Sequence, residues 1–478
     1  MMYNQLMLKF KETAKNNFPG ELILFITAVL GSILYISLIF NDNLWVDEAF
    51  TASLIRGSMP EVLKNTAADT LPPFYNVAGK LLTLVSGFSA PVLKLFSCFP
   101  MILLIFFGGR KLLTLYGFRT AFIYELFLFS MPHFLHYGVE IRMYSWGVFA
   151  CGMAALFFSG ILKEKKGWTA FMLFTVFSGY IHHFALVSCG MLWFILLIIL
   201  LKKKDLQALK KYVLNLLIFF ILYLPCMILT VFQLKAASSY FAMAPLTFGS
   251  FLSDIRFPFV TNITPLSALL FLSAAAAVPA SFRFSTETED RFTGLFLISA
   301  FYLTMLFGYG VSLISGRSFF TARYLVPALS ILWMGIAVCW DRLISITHDN
   351  RFLLLFAALI IVFTGAVCYR QAFREEYKEG AGAMKAYFGE NFKKGDGCIV
   401  LEDYPEIEIC LKYYCPDLQI KRWKDAEEVT GTLWLFLNGN SKATLEKAGK
   451  HGYNAEYISD FSFDRYSFSL YRLEKEGS

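Results

Sequence analysis

Charged residues are scarce in this sequence, since Asp, Glu, Lys and Arg together make up only 17% of its 478 residues. Hydrophobic residues make up 57%, and the mean hydropathy is +0.55. This balance excludes an ordinary soluble enzyme and predicts a polytopic membrane protein. The net charge of +7 comes from short Lys and Arg clusters between apolar runs. Membrane topology explains that pattern, so we predict no nucleic-acid partner.

Paired C-x-x-C spacing is also lacking, so the nine cysteines do not predict a structural zinc site. Six of them lie in apolar runs, where a cysteine usually packs as a small hydrophobic residue. The other three, Cys398, Cys410 and Cys415, lie in the polar C-terminal region, and one disulfide among them stays open. We expect no cleavable signal peptide, because the first apolar run, 21–40, is long enough to span a bilayer.

Apolar segments recur along the first 370 residues and predict about eleven transmembrane helices. Residues 371–478 have an ordinary soluble composition, in which alternating strand-like and helix-like stretches predict a small α/β domain. Lys and Arg are concentrated at every second connection between apolar segments. By the positive-inside rule, the N-terminus is cytoplasmic, and the long loop 41–90 and the C-terminal domain are extracytoplasmic. The protein is therefore expected to be a multi-pass protein of the cell membrane.

The loop 41–90 carries the acids that we consider most suited to chemistry. Asp47 and Glu48 follow Trp45, and Asp69 stands shortly before a double proline. Further polar residues fall at the predicted outer ends of the spans, where the positive-inside rule disfavours arginine. These candidates are Tyr75, Glu140, Arg142, Tyr144, His183, Arg317, Arg323 and Tyr324.

Four short motifs occur in a fixed order: W-x-D-E-A at 45–49, D-T-L-P-P-x-Y at 69–75, E-I-R-M-Y at 140–144 and R-Y-x-x-P at 323–327. This series resembles the bacterial members of the protein O-mannosyltransferase family, glycosyltransferase family 39, which belongs to the GT-C fold class. The aminoarabinose transferase of lipid A resembles it more distantly. The family usually has His directly before the double proline, where this chain has Leu71.

The resemblance implies a GT-C-like membrane enzyme that moves one sugar, a hexose or a pentose, from a polyprenyl-phosphate carrier to an acceptor at the outer face. The anomeric configuration is inverted in this reaction. The first acid of the loop pair serves as the general base in such enzymes, and it corresponds to Asp47. The acceptor, whether a lipid, a glycan or a protein, is left open by the sequence.

The residue chemistry agrees with this expectation, because a phosphate leaving group needs cations more than it needs an acid. We predict that Arg142, Arg317 and Arg323 bind the donor phosphate. Glu48 and Asp69 are expected to support Asp47 in catalysis. The predicted substrate-binding residues are Glu140, Tyr75, Tyr144, Tyr324 and His183.

Each of these residues also has a structural explanation, since loop acids are commonly solvated and arginines at span ends commonly reach for the membrane surface. The four carboxylates of Asp47, Glu48, Asp69 and Glu140 could hold Mg²⁺ or Mn²⁺, although the resemblance implies no cofactor. A transporter or flippase for a lipid-linked or anionic polysaccharide is the alternative function. It would place its ionisable residues near the bilayer midplane, whereas these lie at the span ends. A structural subunit of envelope assembly would tolerate the loss of the carboxylates.

Overall fold

A computed structural model describes residues 2–40, 44–237, 245–284, 288–346, 351–376, 381–400, 405–438, 442–463 and 466–475. Its contacts divide the chain into two compact units. The first unit consists of Met1–Ile39, Leu63–Gly79 and Lys94–Ala372. The second consists of Phe40–Val62, Lys80–Leu93 and Phe373–Ser478.

Helices make up most of the chain. In chain order they are α1 (Met2–Ser37), α2 (Val46–Arg56), α3 (Met59–Ala68), α4 (Phe74–Ser86), α5 (Ala90–Tyr116), α6 (Phe118–Ser130), α7 (Phe134–Val139), α8 (Tyr144–Glu164), α9 (Trp168–Ile181), α10 (His183–Lys203), α11 (Leu206–Ala237), α12 (Phe248–Arg256), α13 (Thr264–Phe284), α14 (Thr288–Ser315), α15 (Leu329–Ile346), α16 (Arg351–Glu376), α17 (Ala381–Asn391), α18 (Pro405–Tyr414) and α19 (Lys442–Lys450). Short 3₁₀ helices occupy Phe257–Phe259, Ala322–Ala328 and Trp423–Glu428.

Eight helices in the described ranges are long and apolar enough to cross a membrane. A ninth span results if α12 and α13, which meet at an angle of 83°, are counted as one broken span. The remaining two of the eleven predicted spans correspond to α6 and α9, which have 13 and 14 residues. Both are shorter than the roughly 20 residues that cross a hydrocarbon core.

The middle of the first unit is formed by α8 and by the span Ala322–Ile344, which contains most of α15. In these two spans 72% and 83% of the residues are buried, whereas the corresponding shares in the spans within α11 and α16 are 22% and 28%. Small residues allow close packing here, as membrane helices require. An added Cβ at Gly335 of α15 would lie 2.7 Å from the carbonyl oxygen of Gly294 in α14, so glycine at 335 permits this approach.

The second unit contains a five-stranded sheet with the order β2-β1-β3-β5-β4. Its strands are β1 (Gly397–Val400), β2 (Gln419–Lys421), β3 (Leu433–Asn438), β4 (Tyr453–Phe463) and β5 (Tyr466–Lys475). Strand β1 runs parallel to β2 and β3, while β5 is antiparallel to β3 and β4. The predicted small α/β domain is thereby confirmed. None of the nine cysteines, all of which lie in the described ranges, forms a disulfide, including the three in the C-terminal region whose pairing the sequence left open.

The helix α2, which carries the acidic pair, belongs to this second unit and packs against α18. The two helices lie about 350 residues apart in the sequence. No local pattern in the sequence predicts this contact, because neither helix has a distinctive pattern that would identify its partner.

Candidate functional site

Arg142 lies in the tight turn between α7 and α8, within the first unit. Its backbone N–H donates to the carbonyl oxygen of Glu140 at 2.6 Å, and its side chain is buried. The Glu140 carboxylate is 2.9 Å from Nε2 of His136, one turn earlier on α7. The turn therefore holds a buried cation at the N-terminal end of α8, with a histidine–carboxylate contact beside it.

Arg323 and Tyr324 lie on the 3₁₀ helix Ala322–Ala328, which packs against the beginnings of α8 and α10. Gly147 of α8 makes this packing possible, because a Cβ there would lie 2.9 Å from Cγ of Pro327. The two arginine-bearing segments, far apart in sequence, are thus brought to one place. Both guanidinium groups lie within electrostatic range of Tyr144.

His182 lies between α9 and α10, and its ring is close to a tyrosine near each of the two arginines. Its ring is 5.8 Å from the ring of Tyr144 and 5.4 Å from that of Tyr324. Burial lowers the pKa of His182 to about 3, and the charges of His183, Arg142 and Arg323 add to this effect. Nδ1 of the neutral ring accepts from the backbone N–H of Phe184, so the proton resides on Nε2. His182 is therefore a neutral hydrogen-bond donor beside two arginines.

The hydroxyl of Tyr144 is a further polar group at this place. The side chain is fully buried, and its Oη has no hydrogen-bond partner among the described residues. Oε2 of Glu140 is likewise unpaired within the described part of the chain. Buried polar atoms are almost always satisfied, so these two are suited to bind water or a polar ligand.

The segment around Asp69 is anchored to the same unit from two sides. Nε2 of His183, the first residue of α10, donates to the carbonyl of Thr70 at 3.1 Å. The side-chain amide of Gln233, near the end of α11, donates to the carbonyl of Leu71 at 2.9 Å. Asp69 itself accepts the backbone N–H of Thr70 at 2.7 Å and is half-buried. His183 is thus a residue that positions this segment.

Two predicted site residues have different surroundings. The Tyr75 hydroxyl lies 2.6 Å from Oγ of Ser97, and its ring packs on Phe96 with centroids 5.3 Å apart. Tyr75 is buried and joins α4 to α5. Arg317 is exposed in the turn that follows α14, where its backbone is hydrogen-bonded to Ser315. Its charge is not among those that act on Tyr144 or His182.

The acidic pair occupies the first turn of α2 in the second unit. Glu48 is buried, and its Oε2 accepts the backbone N–H of Trp45 at 3.4 Å, as in a capping box. The carbonyl of Asp47 accepts from Oγ1 of Thr51 at 2.9 Å, and the Asp47 side chain is half-buried. Negative charges at a helix N-terminus are stabilised by the helix dipole. Glu48 therefore has a local structural role, whereas Asp47 is more accessible.

The α18 helix holds the chain just before this pair. The Tyr414 hydroxyl accepts the backbone N–H of Leu44 at 2.6 Å and donates to its carbonyl at 3.2 Å. Burial raises the pKa of Tyr414, so the hydroxyl stays protonated and can do both. At the other end of α2, Arg56 donates to the carbonyl of Tyr413 at 3.1 Å, and its guanidinium lies 4.6 Å from the ring of Phe88. Both ends of α2 are thereby fixed.

Sequence reasoning missed three polar residues that the structure makes prominent. His182 was passed over in favour of His183, and Gln233 and Lys94 were not considered. Lys94, near the start of α5, is fully buried, and lysine is almost never fully buried unless it is paired. Its place inside a long apolar run was the available signal. In the described residues, no three His, Cys, Asp or Glu side chains are grouped closely enough to hold a metal ion.

Comparison with known proteins is informative at the level of structure alone. No protein-family model matches the sequence, and neither does any curated protein. Similar solved structures include ArnT from Cupriavidus metallidurans in the apo state, and the same protein bound to undecaprenyl phosphate. Each has a TM-score of 0.61 and 11% sequence identity over 94% of this chain and 97% of the other. Identity at this level shows the fold, and membership of glycosyltransferase family 39 stays a prediction. The chain is a polytopic α-helical membrane protein with a GT-C-like fold and a small C-terminal α/β domain.

Proposed function

We propose that this protein is an integral-membrane glycosyltransferase that moves a sugar from a polyprenyl-phosphate carrier to an acceptor outside the cytoplasm, with inversion. The observation that carries this proposal is the cluster of Arg142, Arg323, Tyr144 and His182 at one end of α8 and α10. The cluster lies in a fold shared with ArnT, a GT-C glycosyltransferase whose structure bound to undecaprenyl phosphate is known.

The cluster suits a phosphate that departs from a sugar. When the bond between the anomeric carbon and the phosphate oxygen breaks, the polyprenyl phosphate gains a full negative charge. Two guanidinium groups stabilise that charge by charge-assisted hydrogen bonds, in a buried place where such bonds are strong. The neutral His182 and the Tyr144 hydroxyl supply further donors for phosphate or sugar oxygens. In this proposal Arg317 has a peripheral role, because it is exposed.

The acceptor must lose a proton as its oxygen bonds to the anomeric carbon. We assign this proton to the Asp47 carboxylate, since its side chain is half-buried at the start of α2, whereas Glu48 is fully buried and caps the helix. Asp69 is assigned to hydrogen bonds with sugar hydroxyls. The atoms balance: one C–O bond forms, one breaks, and the acceptor proton moves to Asp47.

The proposal is tested with purified protein and a panel of undecaprenyl-phosphate sugars, by measuring the release of undecaprenyl phosphate. Wild-type protein should consume at least one donor when acceptor fractions from the cell envelope are added. Asp47→Asn should reduce turnover by about a hundredfold or more while donor binding is retained, because general-base catalysis contributes about 10²–10⁴-fold.

Glu61→Gln is the matched control, because Glu61 is an exposed acid of the same loop that only caps α3 through Ser58. Its turnover should equal that of the wild type. Full activity of Asp47→Asn would refute the assignment of the base. Transport of an intact lipid-linked sugar, with no cleavage of any donor, would refute the enzyme and support the transporter.

A further inference from the structure

A crevice of about 560 Å³ opens between α1, α5 and α6 of the first unit, and the proposed reaction does not use it. Its volume lies within the range of about 300–1,000 Å³ that is usual for sites of small ligands. Three ionisable side chains line it, Glu21, Arg110 and Glu125. Its other walls are apolar, from Leu24, Phe25, Ala28, Leu103, Phe106, Phe107 and Leu113.

The buried carboxyl group of Glu125 is the most informative feature of this crevice. It is 1% exposed, and no residue in the described ranges donates a hydrogen bond to its Oε2. The absence of a side chain at Gly109 makes room for this carboxyl group, because an added Cβ would collide with Glu125. A buried acid in a membrane helix bundle that lines a crevice and lacks a partner is expected to serve a ligand.

The charges are placed as the head group of an amphiphile requires. Glu21 is close to the beginning of the span Pro19–Ser37, and Arg110 precedes the end of α5 by about 9 Å. The two positions therefore mark the membrane surface. Phe25 and Phe107, both more than half exposed, extend the apolar wall from there towards the bilayer interior. The head group and the acyl chain of a bound amphiphile therefore contact different parts of the crevice.

The signs of the charges select the head group. Within the described residues, Glu21, Arg110 and Glu125 form no ion pair with one another. Arg110 can pair with a phosphate, while the exposed Glu21 carboxylate repels a lipid that carries only negative charge. A primary ammonium satisfies both carboxylates by donating hydrogen bonds, which a quaternary ammonium cannot do.

We infer that this crevice binds a phospholipid whose head group carries a primary ammonium, of the phosphatidylethanolamine class. Its phosphate pairs with Arg110, its ammonium with Glu125 and Glu21, and one acyl chain lies along α1 and α5. This inference is independent of the proposed function. By the positive-inside rule, the lipid belongs to the inner leaflet.

The test uses the full-length protein, reconstituted in bilayers of equal parts phosphatidylethanolamine, phosphatidylglycerol and phosphatidylcholine. The protein is then recovered in mild detergent, and the retained lipids are quantified by mass spectrometry. Wild-type protein should be enriched in phosphatidylethanolamine by about tenfold over the other two, as expected for one charge-assisted hydrogen bond at a partly buried site.

Glu125→Gln should abolish this enrichment, and Glu21→Gln should lower it severalfold. Glu21 is exposed, so its substitution tests the site without endangering the fold. Glu164→Gln is the control, because it removes an acid from an exposed ion pair with Lys111, 3.4 Å long, in the same end of the bundle. Its lipid profile should equal that of the wild type.

Equal retention of the three lipids by the wild type would overturn the inference, since the crevice would then be an unspecific apolar groove. Enrichment of phosphatidylglycerol that only Arg110→Gln removes would also overturn it, because the ligand would be an anionic lipid. Retained phosphatidylethanolamine enrichment in both acid variants would show that the carboxylates do not bind the ammonium.

Discussion

The substitution Tyr414→Phe tests whether the C-terminal domain positions the acidic pair. It removes one hydroxyl and leaves the ring of Tyr414 in place between α18 and the segment before α2. The hydroxyl both accepts from the N–H and donates to the C=O of Leu44, so the substitution breaks two hydrogen bonds to one residue. Leu44 stands three residues before Asp47 and is buried.

The expected magnitude follows from these two bonds. A hydrogen bond contributes about 0.5–1.5 kcal/mol, and a buried backbone group left without a partner costs about 1–3 kcal/mol. We therefore expect the local stability of the segment around Leu44 to fall by about 2–4 kcal/mol. This corresponds to a roughly 30- to 1,000-fold increase in the population of the locally open state.

Hydrogen–deuterium exchange of the full-length protein measures this population directly. The amides at the start of α2 should exchange faster in Tyr414→Phe, while those of α8 and α15 should be unchanged. Turnover at saturating donor should fall about tenfold with little change in the KM for the donor. Misplacement of a base slows the chemical step without weakening a donor that it does not hold.

Tyr457→Phe is the matched control, because Tyr457 lies on β4 of the same unit and is 52% exposed. Both exchange and turnover should be unchanged in it. If the start of α2 exchanged at the wild-type rate in Tyr414→Phe, the two hydrogen bonds would not hold this segment. Faster exchange with unchanged turnover would leave the domain a structural role alone.

Three further substitutions test the packing and the electrostatics of the cluster. Gly147→Ala places a methyl group against Pro327 and should lower the free energy of unfolding by about 1–3 kcal/mol. Gly190→Ala adds a Cβ that meets nothing within 4 Å and should raise it by about 0.5–1 kcal/mol, because alanine favours a helix interior over glycine. Equal melting temperatures of the two variants would refute the close packing. His182 has its pKa lowered to about 3, so the unfolded state binds a proton below about pH 6.5 that the folded state does not bind. The free energy of unfolding should therefore fall by about 1.4 kcal/mol for each unit by which the pH is lowered from about 6.5 to about 3. His182→Gln should remove this dependence in melting curves recorded at different pH values. An unchanged profile in the variant would contradict the assignment. Gln233→Leu removes the hydrogen-bond donor to two backbone carbonyls near Asp69. It should reduce turnover and speed hydrogen–deuterium exchange in the segment around Asp69. Wild-type behaviour in both measurements would show that other contacts hold this segment.

Local patterns in the sequence were sufficient for the class of protein. Long apolar runs identified the membrane helices, because a helix is the form in which one chain segment can satisfy its own hydrogen bonds inside a bilayer. The same criterion counted α6 and α9 as spans, although these helices have only 13 and 14 residues. In the C-terminal domain, strand-like runs at 398–402, 432–437 and 466–473 predict β1, β3 and β5. The sequence does not indicate β2, which has three residues, or β4, in which several residues are polar and exposed.

The candidate site was predictable in part. Arg142 and Arg323 were identified by their unfavourable position under the positive-inside rule, and the structure brings both to Tyr144. Arg317, chosen by the same argument, is exposed, because the rule locates a residue at a membrane face and says nothing about the direction of its side chain. His182 is prominent through its ring contacts, which depend on the arrangement of three helices.

The sequence by itself determined the membrane class, most of the spans, the small α/β domain and the positions of the acids and arginines along the chain. These features depend on composition and on short-range pattern, which a single segment carries alone. Only the tertiary structure decided which polar groups meet: Arg142 and Arg323 around His182, and Tyr414 at the backbone before Asp47. Such contacts join segments up to about 370 residues apart, and their formation depends on packing between helices, which no local pattern records.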